Sequence, residues 1–253
     1  MLRVGTSGWQ YRHWRGRFYP RHLAAAHWLE YYANHFETVE VNNTFYRLPE
    51  RDTFRDWVER VPDDFEFSIK ASNYLTHYKR LRDPDEPVER LLAHAGPMGT
   101  RLAVVLLQLP GTLECLPDRL DATLRAFANR VRVAVEPRHP SWFCREVRHI
   151  LREHDAALCL ADRAARVITP EWRTTDWAYV RFHGGRGRPT SCYGDRTLKN
   201  WAARVRALYG AAPDGYVYFN NDANGCAVHD AGTFAGFAER AGVATTRVPK
   251  HSG

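Results

Sequence analysis

The 253-residue chain has no apolar run of the roughly 20 residues that a bilayer-spanning helix requires. That excludes a helical membrane anchor. Cysteine is sparse: Cys115, Cys144, Cys159, Cys192 and Cys226 are odd in number, widely spaced and without a C-x-x-C pair. Neither a disulfide framework nor a thiolate zinc site is expected, and all five are read as reduced thiols. No G-x-G-x-x-G follows the first apolar run, which removes the dinucleotide loop of a Rossmann domain. No H-x-H or H-x-x-E-H cluster marks a metal centre, so no metal and no cofactor is expected. Met1-Leu-Arg enters the first strand directly and leaves no room for a secretory h-region. A cytoplasmic protein is the expectation, and nothing in the chain points to a particular protein partner.

What is present is enough for one large domain. Hydrophobic residues make up 44% of the chain and aromatics 13%, ample for a substantial core. One domain is expected over residues 1–248, with 249–253 as a flexible tail. The formal charge of +7 favours anionic partners, a small molecule or a nucleic acid.

Short apolar or alternating runs, each followed by a segment of helical spacing, occur eight times. The expected strands are 3–8, 38–44, 66–71, 102–109, 131–136, 157–162, 178–183 and 216–220. Helices are expected at 27–36, 51–60, 86–94, 116–128, 144–153, 198–208 and 232–241, and none is expected across 164–175. Such alternation makes parallel strands with crossover helices. Eight units in about 250 residues fit a closed (β/α)₈ TIM-type barrel, an α/β fold whose functional residues gather at the C-terminal strand ends.

Alternation along each strand then selects the candidates. In Tyr179-Val-Arg-Phe-His183-Gly-Gly, Val180 and Phe182 face one way while Tyr179, Arg181 and His183 face the other. A core strand seldom carries an arginine and a histidine for packing alone. Glu40, Lys70, Glu136, Asp162, His183 and Asp222 are the candidate catalytic residues. Ser7, Asn42, His77, Gln108, Arg138, Arg181 and Asn220 are candidate ligand contacts. Gly184 and Gly185 open the turn Gly184-Gly-Arg-Gly187-Arg188-Pro, expected to offer free N–H groups to a phosphate. Trp9, Tyr11, Tyr46 and Trp142, with Trp14, Tyr74 and Tyr193, form a candidate rim on which a base or sugar could stack.

Several motifs carry a resemblance. Gly5-Thr-Ser-Gly-Trp9-x-Tyr11-x-x-Trp14-x-Gly16, Val39-Glu-Val-Asn42-x-Thr-Phe-Tyr46-Arg-Leu-Pro49, Phe67-Ser-Ile-Lys70-Ala-Ser and Leu75-Thr-His77 belong to the first half. Leu107-Gln-Leu-Pro110, Arg138-His-Pro-Ser-Trp142, Tyr179-Val-Arg-Phe-His183-Gly and Tyr218-Phe-Asn-Asn-Asp222 follow. Together they resemble the YecE-like family, domain of unknown function seventy-two, over nearly the whole chain. The resemblance implies a TIM-type barrel and, the family's activity not being established, no reaction. Asn43 stands where the family usually has serine.

Four readings of the mouth compete. The preferred one is an enzyme or binding site for a phosphate-bearing ligand, a nucleotide or nucleic acid before a sugar phosphate, held by Lys70, Arg138, Arg181 and the glycine-rich turn. A metal-dependent hydrolase or isomerase, such as an endonuclease, would use Glu136, Asp162, His183 and Asp222 as ligands of a divalent ion, which Lys70 and Arg181 would repel. A metal-free glycoside hydrolase would need Glu40 and Glu136 as a free carboxylate pair. A non-catalytic nucleic-acid module would rest on Lys79, Arg80, Arg82, Arg186 and Arg188 among aromatics.

Overall fold

In the computed structural model, which describes residues 1–187 and 191–249, one curled sheet of ten strands carries the helices. Arg188 and residues 250–253 of the expected tail lie outside the described residues. The parallel strands are β1 (Leu2–Ser7), β2 (Thr38–Val41), β3 (Glu66–Lys70), β4 (Leu102–Gln108), β5 (Arg132–Glu136), β6 (Ala157–Leu158) and β7 (Leu160–Arg163). After a short antiparallel β8 (Arg166–Val167) come β9 (Trp177–Phe182) and β10 (Asp214–Phe219). Their hydrogen-bonded order is β6-β5-β4-β3-β2-β1-β10-β9-β7-β8.

The spacing predicts eight strands, and the sheet has ten because the sixth divides at Cys159 and the short β8 adds itself to β7. Ala157 and Leu158 pair with β5, whereas Leu160, Ala161 and Asp162 pair with β9. Threonine hydroxyls take over where the ladder is interrupted: Leu158 N–H donates to Thr174 Oγ1 at 2.8 Å and Ala161 N–H to Thr169 Oγ1 at 2.9 Å. Those bonds hold the 164–175 segment against the sheet as a hairpin and loop, and no helix forms there.

The helices are α1 (Trp28–Ala33), α2 (Asn43–Tyr46), α3 (Arg51–Glu59), α4 (Asp85–Ala95), α5 (Pro117–Phe127), α6 (Arg145–Glu153), α7 (Asp195–Tyr209) and α8 (Cys226–Arg240). The longer helices bury an apolar face; in α7 it is Leu198, Trp201, Ala202, Val205 and Tyr209. Two of the shifted boundaries have a visible cause. The strand predicted over 38–44 stops at Val41, because Thr44 Oγ1 donates to the Val41 and Lys70 carbonyls, 3.0 and 2.8 Å away, and turns the chain into α2. Helix α8 starts six residues before the expected 232, since Cys226, Ala227, Val228 and Ala231 already face the core.

Alternation splits the core in two. Val39, Phe67, Val105, Val133, Val180 and Val217 pack outward under the helices. Val104, Leu106, Ala134, Ala157, Cys159, Ala161, Trp177, Tyr179, Tyr216 and Tyr218 form a second cluster on the inner face. The bulky rings of β9 and β10 thus fill space left by the small residues of β5, β6 and β7. No helix among the described residues is long and apolar enough to cross a membrane.

Candidate functional site

At the C-terminal end of the inner face, β9 places Arg181 between two carboxylates. Its Nε and Nη2 donate to Glu40 Oε1 at 3.2 and 2.8 Å, and its Nη1 donates to Glu136 Oε2. All three side chains are at most 1% exposed. Glu40 also accepts from Ser7 Oγ at 2.7 Å and from the Tyr179 hydroxyl at 2.6 Å. Burial opposes the charge on Glu136, yet Arg181, His183 and Arg138 outweigh it and hold that carboxyl well below the usual range. The guanidinium, desolvated but flanked by Glu40 and Glu136, stays protonated. This is a satisfied interior ion pair, so Arg181 is already fully engaged and the two glutamates are not a free acid–base pair.

His183 completes the cluster. Its Nε2 lies 2.8 Å from Glu136 Oε1, and Asn220 Nδ2 lies 3.3 Å from its Nδ1. A carboxylate can only accept and an amide nitrogen can only donate, so the neutral ring carries its proton on Nε2. Burial lowers the pKa of the ring below its ordinary value, against the opposing pull of Glu136.

Lys70 and its neighbours form the outer part. The ammonium donates to Gln108 Oε1 at 2.7 Å, and Gln108 Nε2 donates to Glu136 Oε2 at 3.2 Å. Nζ also sits 3.8 Å from the ring centre of Phe45. Burial first, then Arg181 and Arg138, bring its pKa down to about 8, although Glu40 and Glu136 pull the other way. His77 packs edge-on against Phe45, 4.9 Å between centroids, and its own pKa is lowered by burial, Lys70 and Arg138. Arg138 reaches Glu136 at 3.4 Å with 30% of its side chain exposed.

Several expected site residues lie elsewhere. Asp162 points into the helix layer, where Oδ2 accepts from Trp201 Nε1 at 2.9 Å and Oδ1 from the Tyr193 hydroxyl at 3.0 Å. It shares the outward parity of Leu158 and Leu160. Asp222 stands at the edge, its carbonyl accepting from Trp14 Nε1 and its carboxylate 3.5 Å from His13. Trp9 is buried against Trp57, and Trp142 is wholly buried with Nε1 donating to the Leu113 carbonyl at 2.7 Å. Trp14 and Tyr193 are buried too, which leaves Tyr46 and Tyr74 as the exposed rings of the expected rim. Tyr11, partly buried, donates its hydroxyl to the Ser7 carbonyl.

The glycine-rich turn is occupied by its own loop. Gly184 N–H donates to the Tyr193 hydroxyl at 3.0 Å, Gly185 N–H to Ser191 O and Gly187 N–H to Cys192 O, each at 2.8 Å. A Cβ on Gly185 would stand 2.0 Å from the Cys192 carbonyl, so this glycine permits close packing rather than a phosphate nest. The reduced state expected for all five cysteines is likewise corrected. Cys192 and Cys226 form a disulfide, brought to a Cα separation of 4.9 Å because Asn221 and Asp230 tie the loop after β9 to the start of α8. Cys115, Cys144 and Cys159 are free; burial and the neighbouring Cys144 push the Cys115 thiol up to about 12.

A cavity of about 220 Å³ opens beside the cluster, lined by Ser7, Gly8, Gln10, Tyr11, Asn42 and Asn43 among others. The Asn42 carboxamide oxygen is buried there without a hydrogen-bond partner among the described residues. Lys70 and Arg138 are outside its lining. No group of three or more His, Cys, Asp or Glu side chains among the described residues could hold a metal ion. Sequence reasoning missed two members of the site. Tyr179 shares the parity of Arg181 and could have been selected by it; Phe45 could not, since the turn at Asn42 is what swings it beneath Lys70.

Residues 3–252 match the family described as "Protein of unknown function DUF72". The chain belongs to the DUF72 family. Among relatives, it is 36% identical to the UPF0759 protein YecE of Escherichia coli K12 over 120 residues. That match spans 46% of this chain and 43% of YecE, less than half the relative's length. The UPF0759 protein YunF of Bacillus subtilis is 25% identical over 258 residues, 89% of this chain and 90% of YunF. A crystal structure of a DUF72 family protein from Thermotoga maritima superposes with a TM-score of 0.81 at 31% identity, covering 94% of this chain and 99% of that one. Another, from Enterococcus faecalis, has a TM-score of 0.78 at 20% identity and speaks to the DUF72 fold alone.

Proposed function

We propose that the mouth formed by the ends of β2, β3, β5 and β9 binds a phosphate-bearing ligand, a nucleotide or nucleic acid, through Lys70 and Arg138 with His77 beside them. The observation that carries this reading is Lys70. Among the described residues its ammonium has no carboxylate partner, only the Gln108 amide and the Phe45 face, so its charge is free for an incoming anion. Arg181 plays a different part here from the one the sequence suggests: it neutralises Glu40 and Glu136, which otherwise would repel phosphate. The exposed rings of Tyr46 and Tyr74 are platforms for a base, a stack worth about 1–3 kcal/mol. In this reading the sheet works as a closed (β/α)₈ barrel, with β6 and β7 acting as one strand that joins β5 to β9 across Cys159. Binding then rests on the chain's own fixed cations and calls for no metal.

Titration with mononucleotides, sugar phosphates, and short single-stranded or abasic-site DNA tests the proposal. A hydrogen bond to a charged group contributes about 1.5–3 kcal/mol, so Arg138→Ala is expected to weaken binding by roughly ten- to a hundredfold. Changes at Lys79 or Arg82 should matter less, and chiefly at low salt. Binding of a neutral oligosaccharide, with no phosphate-bearing ligand responding to Arg138→Ala, would replace this reading with a carbohydrate one.

A further inference from the structure

The chain has four lysines, Lys70, Lys79, Lys199 and Lys250, among 36 lysines and arginines. Arginine is therefore its default cation, and the inner face bears this out with Arg181 held in a fork between Glu40 and Glu136. A lysine at the next inward position up the wall stands out chemically. Guanidinium cannot shed its proton in a protein, whereas a desolvated amine can and then becomes a nucleophile. We propose that Lys70 forms an imine with an aldehyde or ketone carbonyl of the ligand, an inference that rests on the anion-binding reading for how that ligand is held.

The surroundings suit this step. Nζ leans on the Phe45 face and on a neutral amide oxygen, so no carboxylate fixes it as an ammonium ion. The charged and titratable groups that act on it are Arg181 of β9, Arg138 after β5, Glu40 of β2, Glu136 of β5 and the nearby His77 after β3. The two arginines and burial prevail over the two carboxylates, so a sizeable share of the amine is unprotonated at mildly alkaline pH, about 8. In the reaction the nitrogen lone pair attacks the carbonyl carbon and a C–N bond forms. One N–H proton passes to the carbonyl oxygen, giving a carbinolamine. A second proton makes that oxygen a water, which leaves as the C=N bond closes. His77, neutral, partly exposed and packed like the amine against Phe45, is the group to relay these protons. The imine then acidifies the C–H bond next to the former carbonyl, so the ligand class is a phosphate-bearing aldehyde or ketone.

Trapping with cyanoborohydride tests it, using glycolaldehyde phosphate and unphosphorylated glycolaldehyde as probes and peptide mass mapping as the readout. Hydride addition converts the imine to a stable secondary amine. The expected result is labelling of Lys70 at least tenfold faster than of Lys79 or Lys199, with a rate that rises through pH 8 and falls when inorganic phosphate is added. Lys70→Arg and Lys70→Met, each checked for folding by circular dichroism, should both lose the label at that site, and Lys70→Met should also weaken phosphate binding by calorimetry. Equal labelling of the three lysines, indifferent to pH and phosphate, would overturn the imine while leaving phosphate binding to be judged by calorimetry. Selective Lys70 labelling by both probes without any phosphate binding would instead sink the anion reading and keep the nucleophile.

Discussion

At the residue scale the main distinction is between charges that are spent and charges that are available. Arg181 is spent on Glu40 and Glu136 in a site with almost no solvent. Removing one member of such a buried set strands the others, at a cost of about 3–5 kcal/mol. Arg181→Ala is therefore expected to lower unfolding stability by that amount in urea titrations. A loss under about 1 kcal/mol would mean that water already reaches the pair. Acid should act on the same cluster. The His183 pKa is depressed below its ordinary 6.5 and that of Glu136 well below 4.5, so in both cases the unfolded chain binds more protons as pH falls. Stability is thus expected to decline from about pH 6.5 downward, first through His183 and then through Glu136. The urea midpoint measured between about pH 7.5 and 3 checks this, and His183→Asn should flatten the upper part of the slope.

Among elements, the loop between β9 and α7 departs furthest from its expected role. Its glycines serve internal hydrogen bonds and its cysteine joins Cys226, 34 residues away. Closing a loop of that length restricts the unfolded chain by about 3–4 kcal/mol in the chain-entropy account. A reducing agent, or the paired change Cys192→Ala with Cys226→Ala, should lower the Tm; thiol titration of the unreduced protein after denaturation should find three free cysteines of five. Five free thiols, or an unchanged Tm on reduction, would contradict the pairing. Asp162 marks a second departure, since it anchors Trp201 of α7 and Tyr193 rather than a ligand. Asp162→Ala is expected to destabilise the fold and leave ligand affinity within about twofold.

For the whole molecule, the inner cluster sets how wide the mouth can be. Rings from Trp177, Tyr179, Tyr216 and Tyr218 are accommodated because β5, β6, β7 and the break between the last two offer Ala134, Ala157, Ala161 and Cys159 to the same cluster. Filling that space twice should fail: Ala161→Leu is expected to cost about 1–3 kcal/mol of stability, measured by denaturant unfolding, whereas the same change at the half-buried Ala164–Ala165 turn is a poor control because both residues adopt positive φ. A cost near zero would show that the inner face holds a void.

The sequence by itself determined the alternating strands and helices, and the inward parity that collects Glu40, Lys70, Glu136, Arg181 and His183. Both follow from periods of 2.0 and 3.6 residues that are local properties of a chain. Parity alone would also have turned Asp162 outward with Leu158 and Leu160, had it been applied to that strand. Only the tertiary structure decided the division of the sixth strand at Cys159, the capture of the glycine-rich turn by Ser191 and Cys192, and the Cys192–Cys226 bond. It also decided which cations are free. Hydrogen-bond partners far apart along the chain set that outcome, and neither the spacing nor the identity of a residue records whether another segment has already claimed its donors.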